Sequence, residues 1–133
     1  MKNYKHIFQL CLLCWYSIMF SQINVKNIEI VRDAYGVPHI FGKTDAETAY
    51  GLAWAHSEDD FKTIQLAYMA GNGLLSKHKG IKAAPIDFLS QVIESQKTSD
   101  SLYHTLHSDF RKVLVGYTEG INRYAKLHPK EIL

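Results

Sequence analysis

The sequence predicts an α+β fold class: a mainly helical fragment carrying one β-hairpin. Three observations predict it. Apolar and polar residues alternate around a turn between Ile28 and Phe41, a helix-capping signature follows at Thr44 to Glu47, and an apolar stripe with helical spacing fills the last quarter of the chain.

The chain begins with Lys2 and Lys5, continues through a mostly apolar run from Ile7 to Phe20, and reaches the small and polar pair Ser21-Gln22. That order is that of a secretory signal peptide, so residues 1–22 are read as a signal and the body as exported, to the periplasm or beyond. The run is shorter than the roughly 20 residues of a spanning helix, and Gln9 and Ser17 interrupt it, so no stable membrane span is expected. Cys11 and Cys14 are the only cysteines. They form a C-x-x-C inside the apolar core of the signal, which makes them small apolar fillers rather than a redox pair. Two of the 15 Lys and Arg residues lie in the signal, and the remainder equal the 13 Asp and Glu. A neutral body gives no support to nucleic-acid binding through a basic patch.

The body, residues 23–133, has the length of one small domain. Ile28 to Arg32 and Val37 to Phe41 read as strands, with Asp33-Ala34-Tyr35-Gly36 as a type I turn. Pro38 lacks an amide donor and belongs at an edge. In Thr44-Asp45-Ala46-Glu47 the first and fourth residues form a capping box. Ala46, Ala49, Tyr50, Ala53 and Trp54 then mark one helical face, with Ala49, Gly51, Ala53 and Ala55 small enough for close packing. Ser57-Glu58-Asp59-Asp60 reads as a second helix start, running to Gly71-Asn72-Gly73. Short helices follow over Leu74 to Lys79 and Ile86 to Ile93, and the polar stretch Glu94 to Ser101 reads as a loop. Leu102, Leu106, Phe110, Leu114, Tyr117, Ile121 and Tyr124 predict one long amphipathic helix, ended by His128-Pro129. Two strands without a third, beside helices with wide apolar faces, suggest an incomplete domain whose sheet is encoded elsewhere.

Several clusters could carry chemistry. His56 with Asp59 or Asp60 has metal-ligand spacing on a helix, and the same residues suit a helix start. Asp33 and His39 flank the turn and could pair as carboxylate and imidazole, while Asp33 also suits a turn-organising role. His104 and His107 are spaced by three, and His78 lies between two lysines. No serine stands in a nucleophile-elbow setting. Neither catalytic, metal nor cofactor-binding residues can be assigned from these residues.

Arg32-Asp33-Ala34-Tyr35-Gly36-Val37-Pro38-His39-Ile40 resembles the opening signature of penicillin acylase-type precursors. Tyr50-Gly51-Leu52-Ala53-Trp54-Ala55-His56-Ser57-Glu58-Asp59 is similar to that family's next region, and Gly73 to Gly80, Asp87 and Gly116 to Tyr124 follow in family order. The residues carrying the resemblance are Arg32, Asp33, Gly36, Val37, Pro38, His39, Tyr50, Gly51, Glu58, Asp59, Gly120 and Asn122. Asp60, where many members carry Arg, looks more like the branch with acyl-homoserine lactone and lipopeptide acylases.

The resemblance implies an αββα amino-terminal-nucleophile hydrolase, made as one precursor that cuts itself into α and β subunits. It implies a linear-amide hydrolase acting on small-molecule acyl amides such as penicillins, acyl-homoserine lactones or other long-chain substrates. It implies the β-subunit as partner, with the catalytic amino-terminal serine there, and a structural calcium in the full enzyme. This chain would then be the amino-terminal part of the α-subunit, inactive alone. The alternatives are an inert truncated product and a small secreted module binding a metal or ligand.

Overall fold

The computed structural model describes residues 23–133, so the signal-peptide reading and Cys11 and Cys14 lie outside the described residues. A 3-10 turn at Val25–Asn27 leads into β1 (Glu29–Arg32), which pairs antiparallel with β2 (Pro38–Phe41). The register sets Glu29 opposite Phe41, Ile30 opposite Ile40, Val31 opposite His39 and Arg32 opposite Pro38. Asp33 O accepts from Gly36 N at 3.0 Å, closing the expected turn, and Gly36 takes the left-handed φ of 82° that a glycine tolerates without strain. Among the described residues the sheet has these two strands.

Helix α1 (Asp45–Gly71) starts at the capping box read from the sequence: Glu47 N donates to Thr44 Oγ1 at 3.2 Å, and the Glu47 carboxylate accepts from Thr44 N. Its apolar face turns to the hairpin through Gly51, where an added Cβ would lie 2.6 Å from an Ile40 methyl and 2.9 Å from an Ile28 methyl. The helix breaks at Asp60, whose backbone is non-helical (φ −159°, ψ 70°) and whose Oδ1 accepts from Thr63 N at 3.0 Å. A second helix start therefore exists, three residues later than the sequence suggested. The expected cap, Ser57, is buried and donates back to Ala53 O at 2.7 Å, so Asp60 is the first residue free to recap the chain.

Helices α2 (Leu75–Lys79) and α3 (Ala84–Val92) follow, joined through Gly80 and a 3-10 turn at Ile81–Ala83. The stretch Glu94 to Ser101, expected as a loop, forms most of α4 (Ser95–Tyr103). None of its residues is buried, so no apolar period marks it in the sequence, and local bonds such as Thr98 N to Glu94 O at 2.8 Å hold it. The last helix, α5 (Ser108–Leu127), starts six residues later than Leu102. Leu102 and Leu106 continue its spacing, but the chain turns at His104 to Leu106, and the His107 ring caps the new helix by accepting from Asp109 N at 3.4 Å.

The core lies where α5 crosses α1. A Cβ on Gly116 would overlap the Ala46 carbonyl oxygen, and one on Gly120 would lie 2.5 Å from Tyr50 O and 2.8 Å from the Ala53 methyl. The two backbones meet almost directly, as the small residues of α1 had suggested. Ala49, Tyr50, Ala53, Ala55, Phe61 and Tyr124 are buried around this crossing.

Candidate functional site

The densest polar constellation joins the hairpin turn to α1 just before its break. Asp33 Oδ1 accepts from Tyr35 N at 2.8 Å and Val37 N at 2.9 Å, which stiffens the turn and carries β2 away in register. Those two amides, Val37 first, hold the Asp33 carboxyl below its ordinary range, with His39 adding to them. Asp33 Oδ2 faces His39 Nε2 at 3.4 Å, so the carboxylate–imidazole pair is present, on an exposed surface. Arg32 donates to Gly36 O at 2.9 Å and reaches α1, with Nη2 at 2.8 Å from Asp59 Oδ1 and 3.2 Å from Glu58 Oε2. Asp59 and then Glu58 strengthen its hold on its proton. Glu58 Oε1 accepts from Trp54 Nε1 at 2.7 Å.

The structure thus gathers Arg32, Asp33, Gly36, Val37, His39, Glu58 and Asp59 at one corner of the molecule. Pro38 opens β2 opposite Arg32. Tyr50, Gly51 and Gly120 lie apart from this corner, in the packing of α1 against hairpin and α5, and Asn122 is exposed on α5. Beside the corner runs a groove of about 300 Å³ lined by Val25, Ile28, Ile30, Tyr50, Trp54, Arg123 and Leu127.

Three interactions had partial signals or none in the sequence. Glu47, buried at the helix start, also accepts from Asn27 Nδ2 at 2.8 Å and Lys43 N at 3.0 Å, tying the first described turn to α1. Asn27 first, then the amides of Lys43 and Thr44, holds its carboxyl low against the opposing effect of burial. Asp87 is also buried, and its two oxygens accept from Leu75 N and Ser76 N at 2.8 Å each. The Ser76 side chain first, then these two amides, keeps it low. Tyr124 sits among Trp54, Phe61 and His128, stacked on the last at 4.0 Å, and burial followed by Glu131 pushes its phenol up. The spacing of four between Tyr124 on α5 and His128, which caps its end, was the one visible hint of that stack.

Charge pairing and helix capping are what this arrangement does chemically. The hydroxyls of Ser57, Ser90, Ser95 and Ser101 donate to backbone carbonyls, and among the described residues none pairs with an imidazole. The metal spacing of His56 with Asp59 or Asp60 does not gather: His56 Nδ1 meets the Tyr117 hydroxyl at 3.1 Å, Asp59 holds Arg32, and Asp60 caps Thr63. His104 follows α4 and His107 precedes α5, so their spacing of three does not place them on one helix. Among the described residues no three His, Cys, Asp or Glu side chains come together as a metal site.

The chain is similar to acyl-homoserine lactone acylase QuiP of Pseudomonas fluorescens, with 25% identity over 99 residues, 74% of this chain and 12% of that protein. It is 24% identical over 97 residues to penicillin acylase 2 proenzyme of a Pseudomonas species, covering 73% of this chain and 12% of that one. Acyl-homoserine lactone acylase PvdQ of Pseudomonas syringae is 25% identical over 103 residues, 71% of this chain and 13% of that protein. The chain therefore spans about an eighth of the length of these relatives. A thermostable penicillin G acylase from Alcaligenes faecalis shares its fold, with a TM-score of 0.70 and 23% identity over 78% of this chain and 55% of that one. The penicillin amidase model matches residues 27–132, from the first described turn to the last, and the chain belongs to the penicillin amidase family.

Proposed function

We propose that this chain is the amino-terminal part of the α-subunit of an exported, self-processing amidase that hydrolyses linear N-acyl amides. The family match over residues 27–132 carries the reading. Two of the three curated relatives above bear the name acyl-homoserine lactone acylase, which favours acyl-homoserine lactones over penicillins as substrate.

In this reading the chain is scaffold, and the nucleophile is the amino-terminal serine of a second polypeptide from the same precursor. That serine attacks the amide carbonyl while its own α-amine, whose ordinary pKa is about 7.7–8.0, takes the proton. The acyl group passes to the serine oxygen, the amine leaves with a proton, and water then releases the acid. The hairpin corner held by Arg32 fixes the position of α1 and of the groove beside it. Two lengths support processing: a similar stretch makes up 55% of the solved acylase chain but 12% of the curated proenzyme. Calcium takes about six to eight oxygen ligands, carbonyls and waters as well as carboxylates, and among the described residues no three His, Cys, Asp or Glu side chains come together.

The test is to read the frame beyond the codon of Leu133 at the source, express its product, and assay release of amine from long-chain and short-chain acyl-homoserine lactones and from penicillin G. Hydrolysis is expected from the processed product, strongest on long acyl chains, and none from residues 23–133 alone. Turnover by the short chain alone, or a product inert on every acyl amide, would refute the proposal. A stop codon directly after Leu133 would favour the inert truncated product instead.

A further inference from the structure

Gly71-Asn72-Gly73 closes α1 with a chemically reactive pair that neither the hairpin corner nor the helix crossing uses. Asn3, Asn24, Asn27 and Asn122 precede Tyr, Val, Ile and Arg, whose side chains shield the peptide nitrogen that follows the asparagine. Asn72 precedes Gly73, which has no side chain to do so. The Gly73 nitrogen is the one that can close a five-membered imide on Asn72 Cγ.

The fold holds these two groups apart. Asn72 has ψ 4°, so Gly73 N eclipses the backbone nitrogen of Asn72 and is turned away from its side chain. Asn72 Nδ2 donates to Tyr68 O at 2.8 Å, and Gly73 N donates to Ala70 O at 3.1 Å. Ring closure must rotate ψ and break both bonds. The same turn is tied to the next two helices: Ala70 O accepts from Ser90 Oγ on α3 at 2.5 Å, and Gly71 O from Ser95 Oγ at the start of α4 at 2.7 Å. With Met69 O accepting from Leu74 N at 2.8 Å, the last four carbonyls of α1 are all satisfied. Asn72 is half-buried and lines an open, polar cleft of about 660 Å³ with Gly71, Ser90, Gln91, Glu94 and Ser95, so water reaches it when the turn opens. Such a helix end opens at a lower cost in free energy than the whole fold.

We propose that Asn72 is a covalent modification site gated by the last turn of α1. When that turn opens, Gly73 N attacks Asn72 Cγ; the new nitrogen–carbon bond forms, the Cγ–Nδ2 bond breaks, and ammonia leaves with the Gly73 proton. Water then opens the imide, at Cγ to give aspartate or at the main-chain carbonyl to give isoaspartate, whose backbone is one atom longer. Either product loses the donor to Tyr68 O and sets a carboxylate against the carbonyl end of a helix, where the dipole disfavours negative charge. The modified chain therefore stays looser where α1 meets α3 and α4. The inference is independent of the function proposed above.

Peptide mapping by mass spectrometry tests it on the product of the full reading frame, held at neutral pH with and without guanidinium chloride. In denaturant Asn72 should convert to aspartate and isoaspartate faster than Asn24, Asn27 and Asn122, and in the folded protein at least tenfold more slowly than in denaturant. Ser95→Ala, which removes the tie to Gly71 O, should raise the folded-state rate several-fold and leave the rate in denaturant unchanged, with the fold checked by circular dichroism. Asn72→Asp should speed amide exchange over residues 68–74. An unaltered Asn72 in denaturant, equal rates in the folded and unfolded protein, or a folded-state rate indifferent to Ser95→Ala would overturn the gated site. Wild-type exchange in Asn72→Asp would overturn the loosening.

Discussion

Arg32 Nη2 lies 2.8 Å from Asp59 Oδ1, one residue before α1 breaks at Asp60. One guanidinium thereby links the turn of the hairpin, through Gly36 O, to the end of the first half of α1. Arg32→Leu should lower the melting temperature modestly, and the loss should shrink in high salt because the pair is partly exposed. Arg32→Lys should restore little, since an ammonium cannot span Gly36 O, Glu58 and Asp59 in one plane. Thermal melts of the three proteins at low and high ionic strength measure this.

The glycines rank themselves by what a methyl group would meet. Gly116→Ala drives its methyl into the Ala46 carbonyl, which is backbone and cannot move aside, so α1 and α5 must separate at a cost of about 1–3 kcal/mol. Gly51→Ala meets the Cγ2 methyl groups of Ile28 and Ile40, which belong to side chains of the short hairpin rather than to helix backbone, and should cost less. Gly71→Ala meets nothing within 4 Å at the end of a helix and should be neutral or up to about 1 kcal/mol more stable. Urea midpoints for the three variants should follow that order, and a reversal of the first two would contradict the backbone contact.

Acid should destabilise the fold through Glu47 and Asp87. Both carboxyls are held below their ordinary values of about 4.3 and 3.9 when folded. The unfolded chain therefore binds more protons near pH 4, and the stability these groups provide, fully present at neutral pH, is lost as pH falls through that range toward their lower folded values. Glu47→Gln and Asp87→Asn should each be less stable at pH 7 and show a flatter loss between pH 5 and 3. Denaturant titrations across that window give the slopes directly.

Tyr124 joins packing to a hydrogen bond, and two substitutions separate them. Tyr124→Phe removes the bond from its hydroxyl to Glu131 Oε2 at 3.2 Å and should cost about 0.5–1.5 kcal/mol. Tyr124→Ala also removes the contacts with Trp54, Phe61 and His128 and should cost about 3–5 kcal/mol. Because the folded phenol is pushed up, its stabilising effect holds below the ordinary tyrosine range and fades as pH rises through the folded value. Ultraviolet titration of wild type against Tyr124→Phe should show the missing step at the alkaline end.

Local chemistry was legible in the sequence where the partners lie within one turn of each other. The capping box at Thr44 and Glu47, the turn at Asp33 to Gly36 and the stop at His128-Pro129 all fall in that class. Helix α4 was illegible because a helix with no buried residue leaves no period to read. The start of α5 was misplaced because Leu102 and Leu106 sit in phase with its stripe, while the intervening turn contains neither glycine nor proline. The Gly116 and Gly120 crossing had a signal in the small residues of α1, but which glycines would meet them depends on chain reversal over a distance no local pattern encodes. The same holds for Asp87: nothing near it in sequence announces that it caps Leu75 and Ser76 from another helix. Of the candidate corner, Arg32 and Asp33 were visible as a motif, while the role of Glu58 as bridge between Arg32 and Trp54 required the fold.

The pairing of α1 with α5 also sets how this chain must reach its native state. His56 meets Tyr117 across 61 residues of sequence, and Gln65 meets the backbone of Glu131 across 66. The core therefore forms only after a loop of that size has closed, an entropic toll taken before any of the helix crossing repays it. The segment inside the loop buries little of its own, and the apolar side chains of α3, exposed even after closure, stay open to a neighbouring chain throughout. Refolding by dilution should accordingly be slow for a largely helical protein, and its yield should fall steeply as protein concentration rises.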